Sequence, residues 1–289
     1  MVRICVLALI AVVAAAQDFS QVKIERAGAG YRFTEGPAWS HDGYLLFSDI
    51  PNDRLHKLVP GKGIELVREG TGGGNGNAID EKGRVITCEG DSRRVTRRNA
   101  KGDVEVLAER FEGKRLNAPN DVVVRKDGNI YFTDPAFGKQ DDTKELPFYG
   151  VYRITSKGEL SVVARSDKRP NGIALSPNGR LLYVAGSDER VIRVYDLDRS
   201  GAATNERVLI TGIDGVPDGL KTDEKGNIYV ACRGIAIYSP GGQFIHMIEL
   251  AEKPSNLVFG DGDLQGLFVT ARGMLLHIRL DVKGWSSTQ

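Results

Sequence analysis

The sequence predicts an all-β chain folded as a six-bladed β-propeller of four-stranded antiparallel blades, and three observations predict it. First, Glu35, Asn75, Asn120, Asn171 and Asp218 each stand eight residues ahead of a turn glycine, at Gly43, Gly83, Gly128, Gly179 and Gly226. Successive turn glycines lie 40 to 51 residues apart, the period of a strand-built propeller blade. Second, each glycine follows Asp, Lys or Asn and opens a β-branched and aromatic run: YLLFSD, RVITCE, NIYFTD, LLYVAG and NIYVAC. That is a hairpin signal followed by a strand. Third, a looser sixth copy begins at Asn256 and continues as GLFVTA, and the chain ends before that blade has a fourth strand.

Taken in order, residues 1–16 carry Arg3 and then an apolar run closing in Ala14-Ala15-Ala16. This reads as a secretory signal peptide, too short to span a bilayer as a mature helix. Export to the periplasm or the medium is the expectation, leaving residues 17–289 as a single propeller domain of 273 residues. Residues 22–27 form a strand with no blade of its own; it is expected to complete the last blade and so cover an open sheet edge. Innermost strands are expected at 36–40, 78–80, 121–125, 172–175, 219–222 and 257–259. Each is followed by the run after its turn and by two further strands, for example 151–154 with 160–164. Helical periodicity is absent beyond the N-terminal run. The longest interval, from Gly128 to Gly179, holds a polar stretch at 139–148 that reads equally as a lid over the channel mouth or as a surface loop.

Composition bounds the function. A net charge of +1 and a pI near 7.7 leave no electrostatic case for nucleic acid, nor for a membrane partner of the mature form. The basic run Arg93, Arg94, Arg97 and Arg98 reads as a solvated outer strand. Cys5 belongs to the leader, while Cys88 and Cys232 sit in the second and fifth repeats. Opposite sides of a ring are far beyond the ~7 Å reach of a disulfide, so two free buried thiols are expected. His41, His56, His246 and His277 show no pairing spacing, and no Gly-x-Ser-x-Gly elbow is present. Histidine-based and serine-elbow hydrolases are therefore excluded. Oligomeric state is left open.

If the oxygen-bearing residues start the innermost strands, they collect around one mouth of the central channel, and a ring of oxygens suits a hard cation. The second strands end on the same face, making a further ring of Asp49, Glu89, Asp134, Ser187, Arg233 and Arg272. These six are the candidate substrate contacts, Glu89, Asp134 and Arg233 foremost. Asn or Asp before Gly is also ordinary turn chemistry. Five copies in register, among them Glu35, a poor turn residue, point beyond turns; Asn75 and Asn256 read as channel lining.

Six strings carry a resemblance along the chain: FTEGPAW at Phe33, LLFSDIP at Leu45, EGKRLNAPNDVVV at Glu112, GNIYFTDPAFG at Gly128, RPNGIALSPNGRLLYVA at Arg169 and GVPDGLKTDEKGNIYV at Gly215. From about Gly30 to Leu280 the sequence resembles the family of gluconolactonases, senescence marker protein 30 and luciferin-regenerating enzyme. The resemblance implies a six-bladed propeller that hydrolyses lactones with one divalent cation in the channel. Its metal ligands fall on Glu35 in EGP, Asn171 in PNG and Asp218 in PDG; Asn120 in PND contacts metal or substrate. Calcium is the first expectation for this oxygen set, with Mg²⁺, Mn²⁺ and Zn²⁺ as alternatives. Asp218 is the implied catalytic base, although a carboxylate on a dication is a weaker base, which leaves Asp134 or a metal-bound water as alternatives. The chain departs from the family at Gly90, where gluconolactonase-type relatives often read His, and at Ala118, where senescence-marker-type relatives carry Arg. The expected partner is a small lactone such as gluconolactone. The alternatives are another lactone or an organophosphate ester at the same site, or a non-catalytic ligand-binding propeller with a structural cation.

Overall fold

The computed structural model describes residue 19 and residues 22–286, so the expected leader at 1–16 lies outside the described residues. The turn chemistry acts first. Gly43, Gly83, Gly128, Gly179 and Gly226 all take φ between +64° and +85°. Only glycine enters that region freely, and each of the five closes an antiparallel hairpin between an innermost strand and the strand outside it.

Six four-stranded antiparallel sheets result. Blade one holds Thr34–Ser40, Tyr44–Asp49, Arg54–Val59 and Gly63–Glu69, and blade two holds Gly74–Ile79, Val85–Glu89, Arg94–Arg98 and Val104–Ala108. Blade three holds Val122–Val124, Ile130–Asp134, Tyr149–Ile154 and Leu160–Ser166; blade four holds Pro170–Leu175, Leu181–Gly186, Val191–Leu197 and Ala203–Ile210. Blade five holds Leu220–Thr222, Ile228–Ala231, Ile235–Tyr238 and Phe244–Ile248. Blade six takes Pro254–Gly260, Gly266–Ala271 and Met274–Arg279 from the C-terminal end, and Ile24–Ala29 pairs with Met274–Arg279 as its outermost strand. The expected closing strand is thus in place, two residues later than the sequence suggested.

Adjacent blades bury apolar layers between them. Tyr229 and Ile237 pack on Leu257, Phe259 and Val269 between blades five and six, while Ile86, Cys88 and Val95 meet Val122, Phe132 and Tyr152 between blades two and three. Because both faces of a second strand are covered in this way, Ile130–Asp134 is buried at every residue. Continuous rather than alternating apolar runs follow from that two-sided burial. Cys88 and Cys232 are free and buried, as expected. The C-terminal residues cross the face that carries the hairpin turns, with Trp285 N–H donating to the Thr222 carbonyl at 3.1 Å. Among the described residues no helix is long and apolar enough to cross a membrane.

The segment after Asp134 differs from expectation. It contains a helix, Lys139–Asp142, of a single turn. Four residues are too few for helical periodicity to register in a sequence. A small hairpin, Arg110–Phe111 with Lys114–Arg115, lies on the same face of the ring.

Candidate active site

The oxygen residues reach the channel because the innermost strands break register there. The ladder slips between Glu35 and Ala38, between Gly74 and Asn77, between Pro170 and Ile173, and between Pro254 and Asn256. A bulge re-aims side chains without ending the strand. In blades three and five, Asn120 and Asp218 stand just ahead of the regular ladder, held by Asn120 N–H to the Thr133 carbonyl at 2.8 Å and Asp218 N–H to the Ala231 carbonyl at 2.9 Å.

Glycines after the oxygen residues let neighbouring blades approach. A Cβ on Gly36, which has φ +54°, would lie 1.9 Å from the Asn75 carbonyl oxygen, and one on Gly219 would lie 2.1 Å from the Asn256 side chain. The close approach allows hydrogen bonds from blade to blade: Gly76 N–H to the Asn120 carbonyl at 2.8 Å, and Gly172 N–H to the Asp218 carbonyl at 3.2 Å. Hydroxyls add to them, with Ser48 donating to the Asn75 carbonyl and Ser255 to that of Thr34, both at 2.8 Å. With Thr133 Oγ1 donating to the Asn171 carbonyl at 2.7 Å and Gly219 N–H to the Ser255 carbonyl at 2.8 Å, the start of every innermost strand is fixed to a neighbouring blade.

Within this ring Glu35 is buried, its Oε2 accepting from Gly36 N–H at 2.7 Å and from Asn256 Nδ2 at 3.1 Å. Asn171 is buried as well; its Nδ2 donates to Ser187 Oγ at 3.1 Å, and its side chain also hydrogen-bonds the Asp218 carboxylate. Asp218 keeps some residue-level exposure, but its carboxyl is surrounded by protein atoms. Burial pushes it up to about 7; Asp121 adds to the rise, while Lys253 and the Asn171 hydrogen bond oppose it. Burial also raises Glu35 well above the usual carboxylate range, and the charges of Asp218 and then Asp121 raise it further. Three carboxylates thus share one electrostatic environment. The Asn120 side chain is half-buried and makes no hydrogen bond among the described residues. Asn75 faces the ring through its carbonyl, which also accepts from Asn77 Nδ2 at 3.0 Å.

Asp121 was not among the sequence candidates. Its Oδ1 accepts from Val122 N–H at 2.9 Å, its Oδ2 from Ile173 N–H at 3.1 Å, and Lys221 Nζ lies 4.0 Å from Oδ2. A signal for it exists in the sequence: the residue after the oxygen position is Gly at 36, 76, 172 and 219, but Asp at 121. Lys253, the cation that acts on Asp218, carried no comparable signal.

The second ring is placed differently. Glu89 is fully buried and takes Arg68 Nη1 at 3.0 Å, Arg94 Nε at 2.6 Å and Thr96 Oγ1 at 3.0 Å. Asp134 is fully buried, accepting from Asn117 N–H and Ala118 N–H at 2.8 Å each. Burial raises its carboxyl to about 7 against the pull of those two donors and of Arg93. Arg233 is exposed and paired with Asp214 at 2.6 Å and Glu249 at 2.7 Å. Asp49 is buried and accepts from Arg32 N–H and Phe33 N–H at 3.1 Å each. Of this ring, Ser187 is the member bonded to an inner oxygen residue, Asn171. Among the described residues no group of three or more His, Cys, Asp and Glu side chains is arranged to hold a metal. The channel set draws instead on Glu35, Asp218 and carboxamides.

Comparison with known proteins agrees with this architecture. The SMP-30/Gluconolactonase/LRE-like region matches residues 33–273. A gluconolactonase of Zymomonas mobilis is 32% identical, the match covering 90% of this chain and 82% of that one. A pentonolactonase of Haloferax volcanii is 26% identical over 84% of this chain and 82% of its own. The solved structure of a gluconolactonase from Xanthomonas campestris superposes with a TM-score of 0.84 at 31% identity, covering 90% of each chain. The chain belongs to the SMP-30/gluconolactonase/LRE-like family and is a lactonase.

Proposed function

We propose that the enzyme opens sugar lactones of the gluconolactone type at the channel mouth, with one divalent cation held by Glu35, Asn120, Asn171 and Asp218. The observation that carries this reading is the meeting of Glu35 and Asp218 in the hydrogen-bonded ring, two enclosed carboxylates of which Glu35 is raised by the charge of Asp218, and both by that of Asp121. Like charges gathered away from water are costly unless a cation stands among them. Two carboxylates and two carboxamides are hard oxygen donors, a set that fits calcium first and accommodates Mg²⁺, Mn²⁺ or Zn²⁺. When bound, the cation supplies a Lewis acid that polarises the lactone carbonyl.

The chain's own residues do the rest. The Asn120 carboxamide, which makes no hydrogen bond among the described residues, can give its oxygen to the cation and its N–H groups to the lactone. Asp218 accepts a proton from the attacking water as its oxygen bonds to the carbonyl carbon, and returns it to the ring oxygen when the ring C–O bond breaks, releasing an aldonic acid. Asp134 is a poorer candidate for this proton, since its oxygens are turned to the Asn117 and Ala118 N–H groups. The names of the Zymomonas and Xanthomonas relatives support a six-carbon lactone, and that of the Haloferax relative a five-carbon one.

A lactone panel assayed on chelator-stripped protein, with Ca²⁺, Mg²⁺, Mn²⁺ and Zn²⁺ returned in turn, tests the proposal. Activity is expected to vanish on stripping and to return with one or more of the cations. Full kcat/KM in stripped protein would refute the cation, and full rate in Asp218→Asn would refute the base. We also propose export by the segment at 1–16 and its removal before Gln17; protein retained in the cytoplasm would contradict the export, and an exported product beginning at Met1 would contradict the removal.

A further inference from the structure

Nine large hydrophobic residues are exposed on the described part of the molecule, and their placement is uneven. Ile24, Leu66, Val104, Val106, Val208, Phe244 and Ile245 lie on the outermost strands of the blades. Phe137 and Val216 do not: they sit in loops on the channel-mouth face, Phe137 after the second strand of blade three and Val216 two residues before Asp218. The inner oxygen residues Glu35, Asn120, Asn171 and Asp218, with Asp121 and Ser187 beside them, are polar. A mostly polar site that keeps an apolar surface beside it is built for a ligand with both kinds of face.

Phe137 is held in place. The Arg169 guanidinium lies 5.0 Å from its ring centroid, a cation–π contact that fixes the ring. Arg169 is itself clamped by Asp188, through Nε to Oδ1 at 3.0 Å and through its backbone N–H to Oδ2 at 2.8 Å. The Arg169 carbonyl accepts from Ser187 N–H at 3.1 Å, and Ser187 Oγ accepts from Asn171 at 3.1 Å. Phe137 is thus connected to an inner oxygen residue through a cation–π contact and two hydrogen bonds. The rest of its segment is pinned across to blade two, with Arg93 Nη1 donating to the Thr143 carbonyl and Gln140 Nε2 to Asp91 Oδ1, each at 3.0 Å. The segment is thus tied to blade two and, through Phe137, to Arg169 at the start of blade four. With Arg169 over its ring, Phe137 still keeps 36% of its residue surface open.

We propose that Phe137 is the sugar-ring platform of this enzyme, packing against a C–H face of the lactone while the carbonyl is turned to the cation site of Glu35, Asn120, Asn171 and Asp218. Arg169, braced by Asp188, is the positioning residue behind it. The inference rests on the lactonase reading and specifies it: the substrate is a lactone whose hydroxylated ring presents an apolar C–H face, rather than a small unsubstituted lactone.

The test compares gluconolactone with γ-butyrolactone, which lacks the sugar face, on cation-loaded enzyme. Phe137→Ala and Phe137→Leu are expected to lower kcat/KM for gluconolactone about tenfold more than for γ-butyrolactone, mainly through KM, while Phe137→Trp preserves the ratio. Arg169→Met is expected to shift the ratio in the same direction by a smaller factor. An equal loss on both lactones, or no loss on gluconolactone, would overturn the platform. A wild-type enzyme inactive on both would instead overturn the lactonase reading beneath it.

Discussion

Asp134 offers a sharp prediction because two roles for it, base and scaffold, make opposite demands. Its oxygens accept from the Asn117 and Ala118 N–H groups at 2.8 Å each, in a fully buried position. Each buried N–H left without an acceptor costs about 1–3 kcal/mol, so Asp134→Ala is expected to lose about 2–6 kcal/mol. Asp134→Asn keeps one acceptor oxygen and is expected to lose about 1–3 kcal/mol at pH 5. The pH dependence supplies the sign. Burial raises the folded-state carboxyl from 3.8 to about 7, so the unfolded chain releases its proton first as pH rises. Wild-type stability should therefore fall across that window by up to ~1.4 kcal/mol per pH unit from this group, a few kcal/mol in all, and level off above it. Asp134→Asn lacks that slope, so its deficit at pH 5 should shrink or reverse at pH 8. Urea midpoints for both proteins at the two pH values measure this. An unchanged deficit at pH 5 and pH 8 refutes the buried-charge argument, and loss of lactonase rate in a fully folded Asp134→Asn refutes the scaffold role.

Three further outcomes follow from the same structure. Glu35→Gln keeps an acceptor for Gly36 but removes a charge from the cation site, and calorimetric titration should show affinity for Ca²⁺ reduced at least about tenfold. Gly219→Ala drives a methyl to within 2.1 Å of the Asn256 side chain; a melting point lowered by several degrees and a reduced rate are expected, and a variant indistinguishable from wild type would contradict the blade-to-blade packing. Glu89→Gln leaves Arg68 and Arg94 without their shared carboxylate and should destabilise by about 1–3 kcal/mol while KM for gluconolactone stays put; a selective rise in KM would return Glu89 to the substrate site.

What the sequence determined by itself was whatever depends on short-range chemistry repeated along the chain. A glycine that must take positive φ, a hairpin two strands long and one oxygen residue per copy are local features, so Glu35, Asn120, Asn171 and Asp218 could be read before any coordinates, and counting strands disclosed the closing role of Ile24–Ala29. The second ring could not be read that way, because the partners of its members come from other segments: Asp134 is claimed by backbone 16 and 17 residues upstream, and Glu89 by Arg68 from the preceding blade. Asp121 was visible only as an exception in a column of glycines, and its electrostatic grip on Glu35 and Asp218 arises across blades. The single-turn helix after Gly138 was too short to announce itself, and the contact between Phe137 and Arg169 joins loops of different blades. Local stereochemistry therefore wrote the ring and its inner oxygens; the tertiary structure decided which charges are committed to the scaffold and which surfaces stay open to a substrate, because burial and long-range pairing exist only once the blades have closed.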